Sequence, residues 1–307
     1  MPKITVEKST HIEAPIQTVF ETVRNLRGWK NWSPWVIAEA DCPLSYDDDG
    51  KGYSWDGKII GSGKMQVTGE DAPRSIDLQL NFIKPWKSQS AVRFSFAERD
   101  GGTEVTWTMD GSIPFFMFFM KSMMVCFIGM DYERGLMMLK AKLETGSVPS
   151  KLGFDGTARF EGASYLGVRS RSSFEEIGTS MGEAMEQLKA ALDEKGIEPS
   201  GTPFSIYHKW AASKGYTEFT VGVPVASAPS DVPAGLTAGE IPACDTYRVE
   251  HTGPYPFLGN AWSAAMMHAR AKQFRMNKKV APFEIYQNEP GKVADEELVA
   301  VVHMPAK

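Results

Sequence analysis

A short strand-like sequence occurs twice in the C-terminal half of the chain. PFSIY at positions 203–207 returns as PFEIY at positions 282–286. Apolar and polar residues alternate in both copies, which is typical of a half-buried strand. The duplication predicts two copies of one structural unit with a two-fold groove between them. The copies differ at one chemically important position, since Ser205 in the first corresponds to Glu284 in the second.

The length of the chain exceeds that of a usual single domain. With 307 residues it is long enough for two domains, each with its own hydrophobic core. Apolar residues make up 42% of the chain and charged residues 23%, which is normal for a soluble globular protein. We therefore predict a folded protein of two domains.

Charge and cysteine content argue against several classes of function. The net charge of −5, without a cluster of Lys and Arg, argues against binding to nucleic acid, which requires a basic surface. Cys42, Cys126 and Cys244 lie far apart, and the five histidines show no metal-ligand spacing. We expect no disulfide framework, no metal site and no cofactor. The N-terminus lacks an apolar secretory signal, and we expect a cytoplasmic location.

One segment, residues 113–130, is apolar enough to raise the question of a membrane span. It is rich in Phe and Met, but it contains Lys121 and Ser122 and is followed by Asp131. These polar residues argue against a span. We interpret the segment as a helix that covers a buried cavity.

The first 146 residues show the pattern of an α+β domain. An alternating strand that includes Ile4 and ends near Ile12 precedes a short helix at 16–23, and a helix with an apolar stripe is predicted at 131–144. Between the two helices lie five strand candidates, some separated by Asp-Gly or Gly-Gly turns. These candidates are residues 53–60, 63–69, 75–82, 90–98 and 103–111.

Four segments of this domain carry a family resemblance. HIEAPIQTVFETVRNLRGWKNWSPW, GYSWDGKIIGSGKMQV, GGTEVTWTMDG and GMDYERGLMMLKAKLE together resemble the START-like family SRPBCC, which includes polyketide cyclase-like proteins. The resemblance implies a helix-grip fold, in which a curved antiparallel sheet wraps a long C-terminal helix and encloses a hydrophobic cavity. Trp29, Trp32 and Trp35 either line such a cavity or belong to the core, and we favour the core.

A polar segment with Gly and Pro, residues 147–156, is predicted to link the domains. The second domain, residues 157–307, contains two β-α-β-β repeats at about 157–225 and 239–305, separated by a spacer rich in Pro, Ala, Ser and Gly. The predicted elements of the first repeat are a strand at 157–171, a helix at 178–195 and strands at 203–208 and 216–224. Those of the second are a strand at 239–250, a helix at 254–274 and strands at 282–288 and 296–303.

The second domain also resembles a known family. YRVEHTGPYPFLGNAWSAA, APFEIYQNEP and the duplicated order of elements are similar to the GyrI-like small-molecule-binding domain, which is also the effector-binding domain of AraC-type regulators. In such regulators the domain follows a helix-turn-helix module. Here the START-like domain takes the place of that module, which removes the usual argument for transcriptional control.

The residue alternation around Glu284 predicts a binding groove. Glu284 and Tyr286 should face the groove, while Phe283 and Ile285 should pack on helices. A partly desolvated carboxylate beside aromatic rings attracts lipophilic or aromatic cations, and it can also act as a general base. The resemblance places the Glu of this motif at the pocket, both in drug-binding regulators and in hydrolases of cyclopropane-bearing natural products. The alternative is an exposed Glu on an edge strand.

Further aromatic residues are candidates for the walls of this groove. Tyr207 occupies the place of Tyr286 in the first repeat, and Tyr255 should lie at the groove mouth. Trp262, two turns along the same helix, lines either the pocket or the core. Trp210 is a candidate for the opposite wall, together with His208.

Our leading hypothesis is a binding protein, with a sensor or sequestering role, that holds a small hydrophobic, aromatic or cationic molecule over Glu284, with a second apolar cavity in the START-like domain. One alternative is a hydrolase of strained or activated electrophiles with Glu284 as base and Tyr255 or Tyr286 as proton donor. Another is a protein-interaction module similar to gyrase inhibitors. The sequence leaves the ligand and the oligomeric state open.

Overall fold

The chain folds into two compact units that divide between Pro149 and Ser150. A computed structural model describes residues 3–113, 115–227 and 232–307, with only the backbone described at 115–117. Pro114 in the Phe- and Met-rich segment and residues 228–231 in the predicted spacer lie outside the described residues. We refer to the two units as the N-terminal and the C-terminal domain.

The N-terminal domain is a seven-stranded antiparallel sheet with two α-helices. Its strands are β1 (Lys3–Ile12), β2 (Leu44–Tyr46), β3 (Gly52–Asp56), β4 (Ser62–Asp71), β5 (Ser75–Lys84), β6 (Ser88–Arg99) and β7 (Gly102–Ser112), in the order β1-β7-β6-β5-β4-β3-β2. Its helices are α1 (Ile16–Arg24) and α2 (Lys121–Thr145), with 3₁₀ turns at Leu26–Asn31, Val36–Ala38 and Phe115–Met120. The sheet and the long helix after it confirm the helix-grip fold.

Aromatic rings fill the space between this sheet and α2. Trp107 on β7 stacks on Tyr132 of α2 with ring centroids 3.9 Å apart. Trp29 and Trp32 lie 6.1 and 6.0 Å from Trp107, and all three tryptophans are at most 3% exposed. Trp29 and Trp32 therefore form part of the core, as favoured from the sequence. Trp35 is only partly buried and donates its indole hydrogen to Asp131 at 3.0 Å.

Helix α2 begins ten residues before the predicted start, at Lys121 instead of Asp131. Its first turns belong to the apolar segment 113–130, which we interpret as a helix in its own right. They carry apolar residues on all sides, so no amphipathic period indicates that this segment and residues 131–144 form one continuous helix. The helix ends at Gly146, whose φ of 85° is a left-handed conformation that suits glycine. Among the described residues, no helix is both long and apolar enough to cross a membrane.

The C-terminal domain is an eight-stranded antiparallel sheet in the order β12-β9-β11-β10-β14-β15-β13-β8. Its first repeat contains β8 (Lys151–Phe160), β9 (Ala163–Ser173), α3 (Ile177–Lys195), β10 (Phe204–Ala211) and β11 (Tyr216–Pro224). Its second contains β12 (Thr237–Ile241), β13 (Cys244–Thr252), α4 (Gly259–Arg270), β14 (Phe283–Tyr286) and β15 (Val299–Pro305), with 3₁₀ turns at Ala212–Lys214, Tyr255–Phe257 and Asp295–Glu297.

The two repeats exchange their first strands. β8 of the first repeat pairs with β13, and β12 of the second repeat pairs with β9. The pseudo-two-fold axis passes between β10 and β14, where the repeats meet and Ser205 lies opposite Glu284. Each repeat therefore has five elements instead of the predicted four, because each predicted first strand is a pair of strands.

The sequence prediction is wrong at these first strands and at the linker. The predicted strand 157–171 is broken at Gly162, whose φ is 88°, and the predicted strand 239–250 is broken between Ile241 and Cys244. The predicted linker 147–156 lies largely in β8, which begins at Lys151. Its Gly residues suggested a loop, but backbone pairing with β13 along the sheet edge makes it a strand.

Both helices of the C-terminal domain cover the same face of the sheet. Leu188 of α3 packs with Phe219 and Val221, and Ala261 of α4 packs with Val249 and Val302. On the opposite face, the buried residues that pack together all belong to strands: Tyr165, Phe204, Ile206, Ile241 and Phe283. The prediction that Phe283 and Ile285 pack on helices is therefore wrong, since aromatic side chains of neighbouring strands cover them and the helices cover the face of Glu284.

Gly135 in α2 offers a test of the packing against Trp107. A Cβ at Gly135 would lie 2.8 Å from a ring carbon of Trp107, whereas a Cβ at Gly129 meets the flexible end of Lys8 at 3.2 Å. We expect Gly135→Ala to lower the free energy of unfolding by roughly 1–3 kcal/mol, measured by urea denaturation, because the stacked ring cannot move away. Gly129→Ala should be neutral or stabilising by up to about 1 kcal/mol. Equal effects of the two substitutions would contradict this account.

Candidate functional site

Glu284 lies at the centre of the C-terminal sheet. β14 pairs with β10 on one side, where Ser205 lies opposite Glu284. It pairs with β15 on the other side, where Val302 lies opposite Glu284. The residue is only 1% exposed. The interpretation of Glu284 as an exposed residue on an edge strand is therefore wrong, since the edges are formed by β8 and β12.

Three aromatic side chains donate hydrogen bonds to the carboxylate of Glu284. The hydroxyls of Tyr286 and Tyr207 lie 2.7 and 3.0 Å from Oε1, and the indole Nε1 of Trp262 lies 2.5 Å from Oε2. Ser205 Oγ is 2.8 Å from the Tyr286 hydroxyl. Because the single proton of Tyr286 is directed at Glu284, Ser205 is the donor to Tyr286. The two repeats thus supply one connected hydrogen-bond network.

This environment perturbs the titration of its acidic groups. Burial raises the pKa of Glu284, and the hydrogen bonds from Tyr286, Trp262 and Tyr207 offset part of that increase. No cationic side chain of the described residues contributes to this balance. Burial and the charge of Glu284 raise the pKa of Tyr207 and of Tyr286 well above the usual value of a phenol. When Glu284 is ionised, the site is a desolvated negative charge without a counter-ion.

The aromatic rings form a continuous group around the carboxylate. The rings of Tyr207 and Trp262 meet edge to face with centroids 4.8 Å apart. Trp210, which is 41% exposed, lies 6.1 Å from Tyr207 and stacks on Phe174 at 4.4 Å. The rings therefore extend from the buried carboxylate to the surface of the domain. Sequence analysis missed Phe174, because this residue follows the end of β9 and belongs to no helical or strand pattern of apolar residues.

Tyr255 and His208 form different contacts from those of the three donors. The Tyr255 ring lies 5.3 Å from that of Tyr286, but its hydroxyl donates to the backbone oxygen of Asn288 at 3.1 Å. Burial raises the pKa of Tyr255 to about 12. His208 is paired through Nε2 with the hydroxyl of Thr220 at 2.8 Å. Neither side chain is hydrogen-bonded to Glu284.

A cleft of about 590 Å³ opens beside this network, between α3 and the segment that follows β14. Tyr286 lines the cleft together with the apolar residues Met185, Leu192 and Val223. At the rim, Glu289 pairs with Lys292 at 3.0 Å and with Lys189 at 4.0 Å. Since Tyr286 also donates a hydrogen bond to Glu284, this side chain connects the cleft with the buried carboxylate.

Residues suited to hold a metal ion do not cluster in the part of the chain that the structure describes. The chemistry available to the site is that of one carboxylate, three hydrogen-bond donors and aromatic surfaces. Such a set can stabilise a positive charge, and it can also hold or accept a proton.

Glu284→Gln should alter the pH dependence of stability. Because the pKa of Glu284 is raised in the folded state, the folded chain retains a proton at pH values where the unfolded chain has released it. The protonated Glu284 therefore contributes fully to stability below about pH 4.3, and this contribution is lost as pH rises through the raised pKa. The amide can place its oxygen toward Trp262 and its NH₂ toward the tyrosine hydroxyls. We expect the stability of the variant relative to the parent to increase from pH 4 to neutrality, by about 1.4 kcal/mol per unit of pKa shift.

Urea denaturation at several pH values measures this difference. Glu296→Gln, on an exposed turn, is the matched control and should leave the pH profile unchanged. Parallel profiles for the Glu284→Gln variant and the parent would contradict the raised pKa.

Comparison with known proteins agrees with the two folds. Residues 3–144 match the family described as polyketide cyclase / dehydrase and lipid transport. Residues 160–307 match the GyrI-like small molecule binding domain. None of the curated proteins matches the chain in sequence.

Similar solved structures cover about half of the chain or somewhat more. The Aha1 dimer of Colwellia psychrerythraea is 16% identical, with 47% of this chain and 98% of that chain covered and a TM-score of 0.36. EcmrR, solved in a complex with DNA, is 15% identical, with 61% of this chain and 65% of that chain covered and a TM-score of 0.43. SAV2435 bound to tetraphenylphosphonium is 12% identical, with 50% and 94% covered and a TM-score of 0.41.

The two family matches fall on either side of the division between the two compact units, and together they cover both sheets except for most of β8. The chain is a fusion of a START-like domain of the polyketide cyclase family with a GyrI-like small-molecule-binding domain.

Proposed function

We propose that the GyrI-like domain binds a lipophilic or aromatic cation over Glu284. The observation that carries the proposal is a buried carboxylate with three aromatic hydrogen-bond donors and no cationic partner among the described residues. A bound cation would supply the missing counter-charge. The electron-rich faces of Tyr207 and Trp262 would add cation–π attraction, which is strongest when the cation is desolvated.

The hydrogen-bond pattern supports cations that have few donors of their own. Oε1 of Glu284 already accepts two hydrogen bonds and Oε2 accepts one, out of about four acceptor positions on a carboxylate. A ligand with several N–H groups would leave most of them unpaired in a buried site, which is costly. A quaternary or delocalised cation avoids this penalty and still neutralises the charge.

The open cleft supports a route of entry. Tyr286 both lines the cleft and donates a hydrogen bond to Glu284, and its ring lies 5.3 Å from that of Tyr255. A shift of the Tyr286 side chain would expose Glu284 to a ligand in the cleft. Such binding without chemical change suits a sensor or a sequestering protein. The second apolar cavity in the START-like domain stays a prediction.

Two ions of the same shape and opposite charge test this proposal. Tetraphenylphosphonium, the molecule bound to SAV2435 in its structure, and tetraphenylborate differ in the sign of their charge. We expect the cation to bind at least about tenfold more tightly than the anion, as measured by fluorescence titration, because only the cation compensates Glu284. Glu284→Gln should abolish that preference without loss of folding.

The matched control for this titration is Asp245→Asn, which removes a carboxylate that is exposed on the same sheet. It should leave the preference intact. Equal affinity of the Glu284→Gln variant and the parent for the cation would show that the ligand binds elsewhere.

The affinity for the cation should also depend on pH. The cation favours the ionised form of Glu284, whose pKa is raised by burial, so binding should release a proton and tighten as pH rises through that pKa. Calorimetric titration in two buffers of different ionisation enthalpy measures the released proton. Binding of the same cation to Glu284→Gln should release none. A parent protein that binds without proton release would contradict the role of Glu284.

Hydrolysis is a second candidate, and the raised pKa of Glu284 is the observation in its favour, since a base poised toward neutrality is effective in catalysis. Tyr286 is better placed than Tyr255 to donate a proton, although its raised pKa makes it a weak acid. Incubation with cyclopropane-bearing and ester substrates should then give products that disappear with Glu284→Gln. If none of these substrates is turned over, hydrolysis is contradicted and binding is the only function that remains supported.

A further inference from the structure

Four large apolar side chains are exposed at one end of the START-like sheet. Ile83 is 52% exposed, Trp86 47%, Phe118 59% and Phe119 72%. We call these four residues the apolar tip. Such exposure is unusual for side chains of this size, because each leaves a large apolar surface in water.

Strand pairing places both parts of the apolar tip at the same end of the sheet. Ile83 and Trp86 lie at the turn between β5 and β6, and Ser90 near the start of β6 pairs with Gly111 at the end of β7. The 3₁₀ turn that carries Phe118 and Phe119 follows β7 directly. A depression in the surface at this end is lined by hairpin residues that include Ile83 and Lys87, and by Ser112 at the end of β7.

Exposed lysines surround the apolar tip. Lys84 and Lys87 flank Trp86, and Lys121 follows Phe119 at the start of α2. Lys3 pairs with Ser112 at the same end of the sheet. Lys84 contacts Asp56 at 3.6 Å, whereas Lys3, Lys87 and Lys121 form no ion pair with a described residue.

We propose that this end of the START-like domain binds an anionic phospholipid surface, with the apolar tip inserted among the headgroups and acyl chains and the lysines in contact with the acidic headgroups. Trp is favoured at the boundary between headgroups and acyl chains because its ring is apolar with one polar N–H. Lysine side chains reach the headgroup layer while their methylene stems remain against apolar surface. Local positive charge on a chain of net charge −5 fits a negatively charged partner.

The apolar and the charged contributions are separable. Insertion of the apolar tip should operate on any phospholipid surface, whereas the lysines should act only on anionic lipid and lose their effect at high salt. A protein partner would show neither a dependence on lipid composition nor quenching by lipid. Changes of lipid charge and of salt concentration therefore distinguish the contribution of the apolar tip from that of the lysines.

Vesicle sedimentation of the full chain tests the proposal. We expect binding to mixed phosphatidylcholine and phosphatidylserine vesicles and much weaker binding to phosphatidylcholine alone. Trp86→Ala combined with Phe119→Ala should weaken binding at least about tenfold. Lys87→Gln should weaken it roughly fivefold, and only on the anionic vesicles. All these residues are exposed, so circular dichroism should report an unchanged fold.

Matched controls use residues of the same type elsewhere. Phe154→Ala removes an exposed aromatic ring in the other domain, and Arg99→Gln removes an exposed positive charge at the opposite end of the same sheet. Both should bind vesicles as the parent does. Lipids brominated on their acyl chains should quench fluorescence in the parent and less in Trp86→Phe, which keeps an apolar ring.

Three results would overturn the proposal. The first is the absence of binding to anionic vesicles. The second is equal binding by the parent and the Trp86→Ala, Phe119→Ala variant. The third is a change of sedimentation coefficient in that variant without vesicles, which would identify the apolar tip as a protein contact instead. Each result concerns the START-like domain and is independent of cation binding at Glu284.

Discussion

The pairing of β10 with β14 is the interaction on which the C-terminal domain depends. It joins the two repeats into one sheet and brings Ser205 of the first opposite Glu284 of the second. A symmetric pair of carboxylates at this position would place two buried negative charges side by side, and one of them would have to be protonated. Ser205 at the second position avoids this repulsion and donates a hydrogen bond to Tyr286. The asymmetry of the repeats therefore creates the site.

The site holds an ionisable group at a place where burial alone would favour an apolar side chain. Burial disfavours the ionised form of Glu284, and three hydrogen bonds recover part of that free energy. The donors come from both repeats, since Tyr207 belongs to the first and Trp262 and Tyr286 to the second. All three donors are neutral, so they leave the ionised carboxylate without a counter-charge, which a bound cation would supply.

The two domains offer different kinds of surface. The GyrI-like domain buries its distinctive carboxyl group beneath aromatic rings, whereas the START-like domain exposes aromatic residues, such as Trp86 and Phe119, beside lysines. Tryptophan is found both in the buried core and on the exposed surface of the START-like domain. Trp107 is enclosed by other rings in a core, and Trp86 lies in solvent at a hairpin turn. The residues around each tryptophan, and not the residue type itself, therefore determine whether its ring is buried or exposed.

The sequence by itself determined both folds and the identity of the central residue. Residue alternation placed Glu284 and Tyr286 on one face of a strand, and the duplicated motif identified Tyr207 as the counterpart, because period and repetition are local properties of a chain. Tertiary structure decided the rest. The exchange of β8 and β12, the Trp262 donor and the bond from Tyr255 to Asn288 depend on elements far apart in the chain. No local pattern encodes such distances, since they arise only when the two repeats pack as one sheet.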